Sequence, residues 1–177
     1  RKPFSYAERL FCLCLILVII VFIRYICASL HLSDKLIRTM ITGEIKNRID
    51  TIWDAFWTGG ITNSITILEQ MTYLFFMKML DDAQKTKEAN ASIMGVAVKE
   101  PTFGDGMWHN PDSDRDVEYN TLRWSVFKNK EAEEMYRIIS RDAFAFIKNL
   151  NTGKESAYSK FMANATFLIQ NPRTLVK

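Results

Sequence analysis

A chain of 177 residues, 48% hydrophobic and 12% aromatic, can bury a core of its own, and its 7 glycines and 4 prolines argue against a turn-rich β fold and for long regular elements. The formal charge of +3 is a poor guide to partners. Residues 1–39 hold six basic and two acidic side chains, hence +4, while the other 17 basic and 18 acidic residues give −1; any argument for a nucleic-acid partner must therefore be local.

The first 39 residues read as a hydrophobic leader. Positions 10–23, LFCLCLILVIIVFI, are apolar without a break and follow Arg1, Lys2 and Arg9; Arg24 interrupts, and Ala28-Ser29 supply small residues. That order fits a signal peptide or a marginal membrane anchor. It also fits sequence upstream of a natural start at Met40, because position 1 is not Met and a helical pattern begins directly after Met40. The second reading is adopted: 1–39 a leader outside the native domain, 40–177 the domain itself, and no membrane partner. Cys12, Cys14 and Cys27 all lie in the leader, so residues 40–177 can form neither a disulfide nor a thiolate metal site, as suits a reducing compartment.

Along residues 42–57, Ile45, Ile49, Ile52, Trp53 and Phe56 recur at the spacing of one helical face, and Gly59-Gly60 ends that helix. Residues 65–80 are apolar around most of the helical circumference, which predicts a buried central helix; Thr66, Glu69, Gln70, Thr72 and Lys78 make it too polar to span a bilayer. Asn63 or Ser64 can cap it, or Thr66 with Glu69 as a capping box. Asp81-Asp82 closes the apolar run, and residues 84–90 extend the helix into solvent.

Residues 100–119 carry Pro101, Gly104, Gly106 and Pro111 and predict a long irregular loop. Asp112, Asp114 and Asp116 have the spacing of calcium ligands, but the sixth and twelfth positions counted from Asp112 are Val117 and Arg123, not the Gly and Glu of a calcium loop. His109 has no second histidine nearby. Trp124, in the segment 122–127, anchors the loop back to the core.

Residues 130–150 form the best amphipathic pattern in the chain. At about 100° per residue, Ala132, Met135, Ile139, Ala143, Phe146 and Leu150 lie within roughly 40° of one direction. Lys130, Arg137, Arg141 and Lys148 lie within roughly 20° of the opposite one. These four are the candidate DNA-binding residues, diluted by Glu134 on the same side. The alternative is an ordinary solvated face. Four phosphate contacts would give a salt slope of about −3.6 on duplex DNA. Asn151-Thr152-Gly153 breaks the helix, a last helix is predicted over 156–170 with Ala157, Phe161, Ala165 and Leu168 inward, and Pro172 stops it. The chain ends at Lys177 without a polar tail, as though a further domain followed. The fold expected is all-α, a small bundle of about four to five helices with one long loop.

Two stretches carry a resemblance. Ile52-Trp53 followed by Leu74-Phe75-Phe76-Met77-Lys78-Met79-Leu80, and Arg123-Trp124 after a variable loop, make residues 40–177 similar to the N-terminal domain of the modification subunit of type I restriction–modification systems. The order and spacing of these hydrophobic motifs carry the resemblance. It implies a subunit that methylates adenine N6 in DNA with S-adenosylmethionine and works in the cytoplasm of bacteria. It further implies partners: a DNA-specificity subunit, a second modification subunit, a restriction subunit and double-stranded DNA. Within that subunit this domain would be the non-catalytic part that helps the complex close around DNA.

The chemistry itself belongs, by the same resemblance, to a following domain. Asn171-Pro172 begins like the catalytic Asn-Pro-Pro-aromatic motif, but Arg173 and Thr174 follow it. Gly104-x-Gly106 has no strand before it and is no dinucleotide fingerprint. No phosphate loop, nucleophile elbow or zinc spacing is present in the sequence. No catalytic, cofactor-binding or metal residue is assigned, and the residues alone describe a helical binding or assembly domain, with a membrane-anchored or secreted interaction domain as the alternative.

Overall fold

The computed structural model describes residues 43–150 and 157–176. The leader at 1–39 and the break at 151–153 lie outside them. Helix α1 spans Gly43–Thr58 and buries Phe56, with Ile52 and Trp53 packed beside it. It ends in a Schellman turn: Ile61 N–H donates to Phe56 O at 2.9 Å and Gly60 N–H to Trp57 O at 3.0 Å, with Gly60 at φ 93°, a conformation that favours glycine. Ile61 and Phe56 then share an apolar cluster with Ile67 and Ile169.

Helix α2, Ser64–Met94, is the axis of the fold. Of the starts the sequence offers, Asn63 is the one used: its Oδ1 accepts from Ile65 N at 2.9 Å and Thr66 N at 3.3 Å. Glu69 takes no part in a capping box and accepts instead from Tyr73 Oη at 2.6 Å. Burial, reinforced by Glu69, pushes the Tyr73 phenol far above its ordinary value, so it stays protonated. Ile67, Tyr73, Phe76, Met77 and Leu80 are buried, as an apolar run covering most of the circumference requires. The helix ends at Gly95, φ 65°, where Val96 N–H reaches back to Ala91 O at 3.0 Å.

The predicted long loop is not wholly irregular. It folds into an antiparallel hairpin, β1 Met107–Asn110 with β2 Arg115–Glu118, in which Trp108 faces Val117 and Asn110 faces Arg115. The stabilising feature is alternation: Trp108 and Asn110 turn inward while Met107 and His109 stay exposed. Trp108 meets Phe146 edge-on with centroids 5.4 Å apart. A 3-10 turn, Tyr119–Leu122, and the short helix α3, Trp124–Phe127, follow. Trp124 does pack on the core, edge-on to Phe127.

The amphipathic segment is α4, Ala132–Ile138, joined through a π turn, Ile139–Ala143, to α5, Phe144–Asn149. The π turn inserts an extra residue, so a single 100° periodicity does not hold across it. Met135, Ile139, Ala143 and Phe146 are buried as expected, but so are Asp142, Phe144, Ala145 and Ile147, which the simple wheel places elsewhere.

The last predicted helix is much shorter than 156–170. Helix α6 covers only Ala157–Ala163, and the following residues run extended, with Ala165 and Ile169 buried and Thr166 and Leu168 exposed. Phe161 and Leu168, expected inward, are 38% and 41% exposed; Met162 is buried instead. The period-two pattern belongs to an extended segment, and Gln70 of α2 acts as its hydrogen-bonding neighbour, accepting from Leu168 N at 2.9 Å and donating to Thr166 O at 3.0 Å. A 3-10 turn, Pro172–Val176, ends the described chain. The result is a mostly helical domain with one small sheet, consistent with the all-α bundle expected. Among the described residues no helix is long and apolar enough to cross a membrane.

Candidate nucleic-acid interface

The four basic residues picked from the helical wheel do not stay equivalent. Arg137, in the last turn of α4, and Arg141, in the π turn, are both exposed. They line one shallow depression of about 440 Å³ together with Glu133, Glu134, Tyr136 and Ser140. Lys130 precedes α4 and is held by Glu134 at 3.2 Å. Lys148 lies beyond the π turn, in α5, and is half-buried. The extra residue rotates it about 100° from the direction the uninterrupted wheel assigns. Arg137 and Arg141 are thus brought together, and Lys130 and Lys148 flank them in different settings.

A second depression, about 490 Å³, adjoins the first through Ser140 and Arg141. Its other lining comes from the hairpin, with Asp112, Ser113 and Arg115, and from Phe144 and Ala145 of α5. The two depressions lie next to each other over the π turn and form the candidate groove, with the hairpin as one wall of the second.

What fixes the hairpin to the helix is a buried polar joint. Asn110 is fully buried and donates from Nδ2 to Arg141 O at 3.1 Å and to Asp142 Oδ1 at 3.2 Å. Its Oδ1 accepts from Asp112 N at 3.0 Å and so shapes the hairpin loop as well. Arg115 Nη2 donates to Asp142 Oδ1 and Oδ2 at 2.7 and 2.9 Å. Arg115 lies outside the helical pattern that marks the other basic residues. The signal that could have found it is the Asn110–Arg115 stretch, turn residues flanked by Trp108 and Val117, which marks a hairpin and places Arg115 opposite Asn110.

The aspartates that suggested calcium have other neighbours. Asp114 and Asp116 approach His109 at 3.4 and 3.1 Å on the exposed side of the hairpin. Among the described residues no group of three or more histidine, cysteine or acidic side chains is placed to hold a metal ion.

A third polar group, also unforeseen, is structural in kind. Arg123 joins Asp81 and Glu88 of α2, and Gln84 between them accepts from Thr102 N at 2.8 Å. Asp81 is fully buried at its centre, Glu88 is partly exposed, and none of these residues lines either depression.

S-adenosylmethionine, which the resemblance implies for a whole subunit, does not fit the residues described. The two strands form an isolated hairpin with no helix behind a glycine-rich turn, and the groove is shallow and lined by arginines.

Residues 45–177 fit the family model of the HsdM N-terminal domain. No curated protein and no solved structure matches.

Proposed function

We infer the function from the family to which the chain belongs: that of the HsdM N-terminal domain, the opening domain of the type I restriction–modification methyltransferase M subunit. We propose that this domain is a non-catalytic assembly and DNA-clamping module. It acts with a DNA-specificity subunit, a second modification subunit and a restriction subunit, in the cytoplasm. Adenine methylation with S-adenosylmethionine falls to another domain of the same subunit.

One observation supports the clamping part. Arg137 and Arg141 are exposed side by side in the groove over the π turn, and neither is ion-paired among the described residues. Of the two nearby acids, Glu134 is engaged by Lys130, and Glu133 lies in the first turn of α4, where it suits the helix dipole. That leaves the two guanidiniums as the groups suited to a phosphate backbone. Lys130 and Lys148 would add long-range attraction at the edges.

The test uses the assembled modification complex and a mixed-sequence DNA duplex. Neutralising both residues in an R137Q/R141Q variant should make the slope of log affinity against log salt shallower by about 1.8. Folding should be unchanged, because both side chains point away from the core. A parental slope in a correctly assembled complex would reduce this domain to a protein–protein module without a DNA role.

A further inference from the structure

We propose that Arg115, on the hairpin, is a further phosphate-contacting residue, held in place for that purpose by Asp142 and Asn110. The ligand is a phosphodiester of duplex DNA lying between the hairpin wall and the π turn. This rests on the reading that DNA passes the groove and names a contact that no helical pattern contains.

The argument starts from how Arg115 is held. Both of its bonds to Asp142 use Nη2. The guanidinium has two further donor positions, Nη1 and Nε, in a rigid planar fork, and the side chain remains 43% exposed. Asp142 by contrast is buried, and Asn110 donates to the same carboxylate from the hairpin. A surface arginine ordinarily sweeps many rotamers and loses that freedom on binding. Arg115 has lost much of it already, so its open edge is preorganised at the groove.

The surroundings set the ligand class. Arg115 and Arg141 line the same depression from opposite elements, and Ser113 and Ser140 line it from the same two elements. Two guanidiniums with two hydroxyls suit the several acceptor oxygens of a phosphodiester. The one carboxylate in the lining, Asp112, is exposed at the hairpin tip, where solvent screens it. Because Asn110 donates to the carbonyl of Arg141 as well as to Asp142, one buried amide sets the spacing of both arginines.

The experiment again uses the assembled complex with a mixed-sequence duplex, comparing R115Q, R115K, R115Q/D142N and R141Q. Neutral R115Q should make the salt slope shallower by about 0.9, and R115K, which keeps the charge, should restore it. R115Q alone strands the Asp142 carboxylate and can weaken the fold. The double variant removes both charges and should show the same loss of slope without that penalty. A purely structural Arg115 would lower the melting temperature in R115Q yet leave the slope of the double variant parental. If R141Q lowers the slope and R115Q/D142N does not, the proposal falls and the DNA reading stands. If neither does, the DNA reading of this groove falls and takes the proposal with it.

Discussion

Arg123, at the entry to α3, donates from Nε to Oδ1 of Asp81 in α2 at 2.7 Å, joining residues 42 apart in sequence. Its other two nitrogens pair with Glu88 at 2.8 and 3.0 Å, its guanidinium lies 5.9 Å from the Phe103 ring, and the second Asp81 oxygen accepts from Ser125 N at 2.8 Å. Asp81 is fully buried, so its charge depends on these partners and on Lys85, whose ammonium lies 3.3 Å from Oδ2. Arg123→Met keeps the apolar stem but leaves that buried carboxylate with only Ser125 N and the half-exposed Lys85 ammonium, both on Oδ2. The expected cost is about 3 kcal/mol, or a melting temperature lower by about 10 °C. Adding Asp81→Asn should recover part of it, because the stranded charge goes with its partner. A loss for Arg123→Met below about 1 kcal/mol by urea unfolding would show that the pair contributes no more than an exposed ion pair.

The same network sets an acid limit. Burial raises the Asp81 carboxyl, and hydrogen bonds from Ser125 and Arg123 more than reverse this, leaving it below its ordinary value of 3.8. Glu88 is held below its ordinary 4.5 chiefly by the hydrogen bond from Arg123. Both groups are therefore more acidic folded than unfolded. Their contribution to stability is fully present above the unfolded values and is lost as pH falls through the folded ones. Unfolding free energy should hold steady with respect to these two groups above about pH 4.5 and decline below it. An Asp81→Asn/Glu88→Gln variant starts less stable and should decline less steeply over that acid range. Parallel curves for variant and parent would place the acid sensitivity elsewhere.

The parts of the fold legible in the sequence are those ruled by one period and a clear stop. Helix α1 and its Gly59-Gly60 end, the buried run of α2 and the anchoring of Trp124 all follow from local pattern. Three features did not, each for a physical reason. The hairpin has four-residue strands, too short for alternation to stand out beside Pro111 and two glycines, and its inward Asn110 is polar because it bonds to the π turn rather than to the core. The π turn has no local signature; its extra residue splits the basic stripe so that Arg137 and Arg141 share a groove that Lys148 does not line. Residues 164–170 contain enough apolar side chains to pass for a helical face, and only the Gln70 amide, some 96 residues away, decides for extended backbone. The candidate site was accordingly half legible: its helical arginines were found from periodicity, while Arg115 depends on a contact between distant segments.

Gln70 is the residue whose loss should be felt furthest from its own position. It is fully buried in α2, yet its side-chain amide does what a neighbouring strand would do, donating to Thr166 O at 3.0 Å and accepting from Leu168 N at 2.9 Å. Those two bonds hold Ile169 in the cluster with Phe56 and Ile67. Gln70→Leu fills similar volume but leaves both backbone groups without that partner. With about 1 kcal/mol at stake in each bond, the expected cost is about 2 kcal/mol. The loss should be local first: amide exchange at Leu168 and Ile169 should accelerate while amides in the middle of α2 stay protected. Gln70→Glu should behave similarly, since a carboxylate can still accept from Leu168 N but has no donor for Thr166 O. Unchanged exchange at Leu168 in both variants would mean that side-chain packing of Ala165 and Ile169, rather than the amide, holds the segment against α2.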